Sequence, residues 1–219
     1  RVFSMKGFGT VITGTSLSGR IGLGDDLIFY PDGLSAKIRG IQVHGKDQEI
    51  VEAGHRTAIN LQGIEKEEIN RGDLAATPGS MQPSALLDAT LHYLAGNKKK
   101  LKNRTQVRVH VGTREIVGRV VFMDRDNVEP GEEADIQLLL QDPVAVWPGD
   151  RFVIRSYSPI TTLGGGAILN NAPPKRKRSA DKDQQRNREI FAVYKSSEAE
   201  KLSEKMLLFL EESGQQGIT

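Results

Sequence analysis

Short runs of alternating apolar and polar residues, recurring at close intervals with Gly, Pro, Asn and Asp between them, are what most limits the fold of this chain. Val107, Val109 and Val111 alternate with Arg108 and His110, and Ile136, Leu138 and Leu140 repeat the pattern. A period of two puts the apolar side chains on one face of a pleated strand. Many such runs in close succession read as an all-β sandwich or barrel, not as strand alternating with helix. A chain of 219 residues holds two small cores or one large domain, and the breaks at Pro78-Gly79 and Gln82-Pro83 favour two. The expected fold is therefore mainly β. One small β-barrel covers residues 1–80, with strands near 2–15, 26–30, 34–44, 56–62 and 73–76. A second covers 84–172, with strands near 86–95, 105–112, 115–123, 132–142, 151–157 and 164–169. Each is expected to close on itself.

After Ala172-Pro173-Pro174 the apolar spacing lengthens, and a short α-helical segment follows over 173–219. Ile190, Phe191, Val193 and Tyr194 form one apolar cluster, and Met206, Leu207, Phe209 and Leu210 another, with Ser203 as N-cap and Gly214 as stop. The basic run Lys175-Arg176-Lys177-Arg178 reads as a solvated linker. Arg1-Val2-Phe3 is already strand-like and the last residues stop where a new element starts, so the chain reads as a fragment.

Composition excludes several functions. With no Cys there are neither disulfides nor thiolate metal sites, and His44, His55, His92 and His110 lack zinc-ligand spacing, so no metal is expected and the chain fits a cytoplasmic protein. No run approaches the roughly 18 apolar residues of a membrane span. A phosphate loop of the form Gly-x-x-x-x-Gly-Lys-Ser/Thr is missing. Asn97-Lys98-Lys99-Lys100 imitates a guanine-reading motif but has Lys100 where an Asp must accept from the base. Nor is there a Gly-x-Ser-x-Gly elbow, a thiol nucleophile or a His-Glu-x-x-His. The segment reads as non-catalytic, and its formal charge of +2 says less about nucleic acid than its two basic clusters do.

The run Lys6-Gly7-Phe8-Gly9-Thr10-Val11-Ile12-Thr13-Gly14-Thr15 joins a β-branched strand core to glycines where a neighbour must approach the backbone, as in a strand that forms a floor for a ligand. It resembles the opening strand of the second domain of translational GTPases of the elongation factor Tu class. Residues 18–25, 52–61 and 63–73 resemble that domain's later hairpin, strand and closing segment. Residues 144–155 followed by Gly164-Gly165-Gly166-Ala167-Ile168 resemble the end of the class's third domain. Within the class, Arg1 and Arg56 are most similar to the SelB-like factors, specific for selenocysteyl-tRNA.

This resemblance implies an elongation factor Tu domain 2-like barrel, a domain 3-like barrel and the start of a winged-helix region. It implies delivery of selenocysteyl-tRNA to the ribosome, with this segment recognising the aminoacylated acceptor end. It implies no cofactor in this segment, with GTP and Mg in a separate GTPase domain, and further C-terminal modules that bind the selenocysteine-insertion mRNA hairpin. A cytoplasmic monomer without a membrane partner completes the expectation. The alternatives are the tRNA-binding barrels of a different translational GTPase, or a barrel used only for structural or protein docking.

Carried over residue by residue, Arg1 and Arg56 bind the selenocysteyl group, and Met5, Gly7, Gln42 and Asn60 form the terminal adenosine pocket. Gln42 stands where elongation factor Tu has a carboxylate, and Asn60 where it has an aliphatic residue. A selenol is more acidic than a thiol, whose pKa is about 8.5, so selenocysteine is largely an anion at neutral pH, and permanently charged, weakly hydrated guanidiniums suit it. The competing reading of Arg56 is an ordinary ion pair with a carboxylate from a nearby turn. Lys98, Lys99, Lys100, Lys102 and Arg104 are candidates for tRNA phosphate contacts.

Overall fold

The computed structural model describes residues 1–5, 9–196 and 202–213. The chain divides into two compact units, Arg1–Gln82 and Pro83–Thr219.

The first unit contains β1 (Val2–Met5), β2 (Gly9–Thr15), β3 (Arg20–Gly22), β4 (Asp26–Tyr30), β5 (Leu34–Val43), β6 (Lys46–Gln48), β7 (Ile50–Glu52), β8 (Arg56–Gln62) and β9 (Leu74–Ala76). The single strand expected near 2–15 is two. β1 and β2 pair antiparallel, Val2 opposite Ile12 and Met5 opposite Gly9, and Gly9 takes a φ of 81°, which a side chain would resist. Gly7 lies outside the described residues.

The main ladder runs β1-β2-β8-β5-β4-β9, with β6 on β5, and β3 and β7 form a separate pair. Among the described residues this main ladder is not closed by hydrogen bonds. The three-residue strands β3 and β7 pair with each other apart from the main ladder, yet Ile21 and Val51 join Leu27, Phe29, Ile38, Ile41, Ile59 and Leu61 in one core. Shared burial completes this unit where hydrogen bonds do not.

A bulge sets the faces of β5. Ile38 pairs with Leu61 and Gly40 with Asn60, so Arg39 is an extra residue in the ladder. The insertion resets the alternation, letting Ile38 and Ile41 both reach the core while Gly40 and Gln42 lie on the opposite face.

The second unit contains β10 (Ser84–Tyr93), β11 (Leu101–Lys102), β12 (Gln106–Val111), β13 (Arg114–Phe122), β14 (Asn127–Val128), β15 (Glu133–Val144), β16 (Arg151–Ser156) and β17 (Thr162–Asn170). Six of these close a barrel in the order β10-β15-β13-β12-β16-β17, around Leu87, Leu91, Val107, Val109, Phe122, Ile136, Leu138 and Ile154. The seam between β10 and β17 sets Gly164, Gly165 and Gly166 against Tyr93, His92 and Leu91.

Two helices follow, α1 (Asp181–Lys195) and α2 (Leu202–Ser213). Ile190 and Phe191 of α1 are buried with Val121 and Met123 of the barrel wall, and Tyr194 and Leu208 pack beside them. Burying one such Phe contributes about 1.5–3 kcal/mol, enough to fasten α1 to the barrel. Ser203 lies inside α2, not before it, and Gly214 falls outside the described residues.

The basic run before α1 is not a solvated linker. The Arg176 side chain is 5% exposed in ion pairs with Asp88 and Glu212, and Arg178 pairs with Asp126. A charge pattern reads as solvated only when no buried carboxylate awaits it, and Asp88 lies in a strand 88 positions away.

Candidate functional site

The register of the first unit brings the predicted residues to one face of its sheet. Thr57, Ile59 and Leu61 of β8 are buried, so Arg56, Ala58 and Asn60 lie on the face away from the core. Thr15 is opposite Arg56, Thr13 and Gln42 flank Ala58, and Val11 and Gly40 flank Asn60. Arg1 extends β1 by exchanging backbone bonds with Thr13, each 2.8 Å long.

An open concavity of about 520 Å³ is lined by Arg1, Phe3, Thr13, Gln42, His44 and Arg56 among others. Arg56 donates from a terminal guanidinium nitrogen to Thr15 Oγ1 at 3.0 Å. Among the described residues neither Arg1 nor Arg56 has a carboxylate partner, and no Asp or Glu lines the concavity. Among these residues the partner of Arg56 is the Thr15 hydroxyl and not a carboxylate. Two guanidiniums sharing one recess raise the local potential for an anion, increasingly so as a ligand displaces water.

The other predicted residues divide. Gln42 Nε2 donates one N–H to Asp47 Oδ1 at 2.8 Å, which leaves its second N–H and its carbonyl oxygen for a ligand. Asn60 does not line the concavity, but its Oδ1 is buried without a hydrogen-bond partner among the described residues. Met5 ends β1, opposite Gly9.

His44, Phe3 and Thr13 were not singled out by sequence reading. His44 and Gly45 form a two-residue hairpin turn with φ of 52° and 75°, the conformation that matches strand twist. The His-Gly pair between strand residues was the available signal.

In the second unit Lys98, Lys99, Lys100, Lys102 and Arg104 are all exposed. Their backbone is pinned: Tyr93 Oη donates to Lys99 O at 2.7 Å, Thr105 Oγ1 to Lys102 O at 2.7 Å, and the Arg104 N–H to Val120 O at 2.7 Å. Arg104 holds a left-handed φ of 63°. Asn97, in the imitation of a guanine motif, spends its amide on Leu94 O and Leu163 O. Among the described residues no group of three or more His, Asp or Glu could hold a metal ion, and no helix is long and apolar enough to cross a membrane.

A second polar constellation sits on the outer wall of the second barrel. Asp88 accepts from Arg176 Nε at 2.9 Å and from Gln137 Nε2 at 2.9 Å, and Arg176 also pairs with Glu212 of α2. Burial pushes the Asp88 carboxyl up to about 6 against the pull of Arg176, with Glu212 adding to the push. Burial works against the Arg176 charge, but the two carboxylates outweigh it and hold the guanidinium above its usual range. Burial, then Glu212, push the Tyr194 phenol up. The hint in the sequence was one acid, Asp88, inside the apolar run Leu86-Leu87-Asp88-Ala89.

Comparison with known proteins fits these two units to translation factors. Residues 9–76 match the family model for elongation factor Tu domain 2, and residues 88–175 match the model for the selenocysteine-specific elongation factor β-barrel domain. The chain is 46% identical over 170 residues to the selenocysteine-specific elongation factor of Desulfomicrobium baculatum, covering 78% of this chain and 27% of that protein. It is 31% identical over 179 residues to that of Escherichia coli K12, covering 80% of this chain and 27% of that protein. Both units are thus translation elongation factor β domains. The chain belongs to the selenocysteine-specific elongation factor family, and spans about a quarter of the length of the curated relatives it matches.

Proposed function

We propose that the first unit binds the aminoacylated acceptor end of selenocysteyl-tRNA, with Arg1 and Arg56 attracting the selenolate. The observation that carries this reading is the pair of guanidiniums lining one recess with no carboxylate partner among the described residues. Gln42 lines this recess and offers its amide to the terminal adenosine, and Asn60, Met5 and Gly7 belong to the adenosine pocket by resemblance to the family. The exposed cations Lys98, Lys99, Lys100, Lys102 and Arg104 contact tRNA phosphates, a contribution that weakens with salt. The whole factor would deliver this tRNA to the ribosome in the cytoplasm as a monomer, with GTP and Mg held by a GTPase domain and the selenocysteine-insertion mRNA hairpin read by winged-helix modules beginning in the helical segment.

Selectivity is the test. In the full-length factor Arg56→Ala is expected to weaken selenocysteyl-tRNA binding by about 1.5–3 kcal/mol, the usual worth of a hydrogen bond to a charged group. Seryl-tRNA, whose hydroxyl is neutral, should lose far less. The readout is the ratio of the two affinities at one fixed salt concentration. If both affinities fall together and the ratio holds, Arg56 serves the sheet or a phosphate instead.

A further inference from the structure

The Asp88–Arg176 pair is complete without α2. Arg176 Nε and a terminal nitrogen both reach Asp88 Oδ2, and Gln137 Nε2 serves Asp88 Oδ1. The Arg176 backbone N–H donates to Gln137 Oε1 at 3.0 Å. One buried positive charge already matches one negative.

Three donors nevertheless converge beside this pair. Arg176 offers its remaining terminal N–H groups, Asn170 its Nδ2 at 3.0 Å and Tyr194 its Oη at 2.8 Å, and all of them meet the Glu212 carboxylate. Each is held in place by something other than α2. Asn170 lies in β17 and accepts the Ala172 N–H through Oδ1, while Tyr194 rides on α1, which Ile190 and Phe191 anchor to the barrel. The barrel and α1 together form a carboxylate socket, and Glu212 fills it from the last turn of α2.

Apolar burial holds α2 only weakly. Leu202, Met206, Leu207, Phe209 and Leu210 remain 46–61% exposed, and among the described residues Leu208 is the α2 side chain that packs against the apolar cluster. Lys205 Nζ adds one bond to Ser196 O. Docking therefore depends on the charge-assisted bonds to Glu212, which are stronger than neutral ones.

We propose that α2 is a releasable latch: Glu212 docks it in a carboxylate socket preformed by the barrel and α1, and withdrawal of Glu212 frees α2 without disturbing the barrel, the Asp88–Arg176 pair or α1. A freed helix of 12 residues is marginal in water, so release registers as loss of amide protection.

Hydrogen exchange of the whole 219-residue chain tests this. In the unsubstituted protein α2 is protected, though less than α1. Glu212→Ala should speed α2 exchange by about tenfold or more, leaving α1, β10 and β15 unchanged and the thermal midpoint within about 2 °C. Tyr194→Phe, which removes one donor to Glu212 but keeps the ring, should speed α2 by a smaller factor. Three results overturn the latch: α2 unprotected from the start, α2 unmoved by Glu212→Ala, or protection lost equally from α1 and β10.

Discussion

Gly166→Ala is expected to prevent the second unit from closing. A Cβ built at Gly166 would lie 1.8 Å from Thr90 O and 2.8 Å from Thr90 C, and one at Gly164 or Gly165 would lie 2.4 Å from His92 O or 2.5 Å from Phe152 O. The obstacles are backbone carbonyls in hydrogen-bonded strands, not the ends of flexible side chains. Relief requires β10 and β17 to part, and their pairing is one of the six that close the barrel. A loss of about 4 kcal/mol or more is expected, the range reserved for severe overpacking. Gly96→Ala is the control, since nothing lies within 4 Å of its Cβ, and its effect should stay within about 0.5 kcal/mol. Thermal melting with hydrogen exchange at β10 and β17 measures both. A Gly166→Ala protein that melts with the parent would refute the close approach of these strands.

Arg176→Met is expected to cost about 3–5 kcal/mol, because it strands the Asp88 carboxylate, whose side chain is 0% exposed, with Gln137 as its remaining neutral donor. The double variant Asp88→Asn/Arg176→Met should recover part of that loss, since no buried charge is left unpaired. The pH dependence has a definite sign. The Asp88 carboxyl is raised from 3.8 to about 6 in the folded protein, so its favourable contribution is fully present below about 3.8 and is lost as pH rises through about 6. Asp88→Asn should flatten that part of the stability profile. In Arg176→Met the deficit should shrink on acidification, because a protonated Asp88 no longer needs a cation. Chemical denaturation across pH 4–7 checks both; an Arg176→Met deficit that is unchanged by acid would mean packing, not charge, is what Arg176 supplies.

These two sites differ in how far they could be read beforehand. Gly164-Gly165-Gly166 stood out as a run resembling a family strand, but the reason for three glycines is the approach of Thr90, His92 and Phe152, which belong to other strands. Arg176 was misread as part of a solvated run because an arginine's burial depends on a carboxylate 88 positions away. Arg1 and Arg56 were nominated from resemblance. Their shared recess comes from β2 lying between β1 and β8 in the ladder.

Local alternation, turn residues and the break near residue 80 by themselves determined that the chain is mainly β, where most strands run and that the apolar pattern changes before the helices, because side-chain parity and turn chemistry act between near neighbours. Only the tertiary structure decided that β3 and β7 pair apart from the main ladder of the first unit, that Arg39 shifts the phase of β5, and that Asp88, Arg176 and Glu212 meet. Strand partners, bulges and buried charge pairs are chosen by residues far apart in the chain, and their energies exist only once those residues have been brought together and water has been removed.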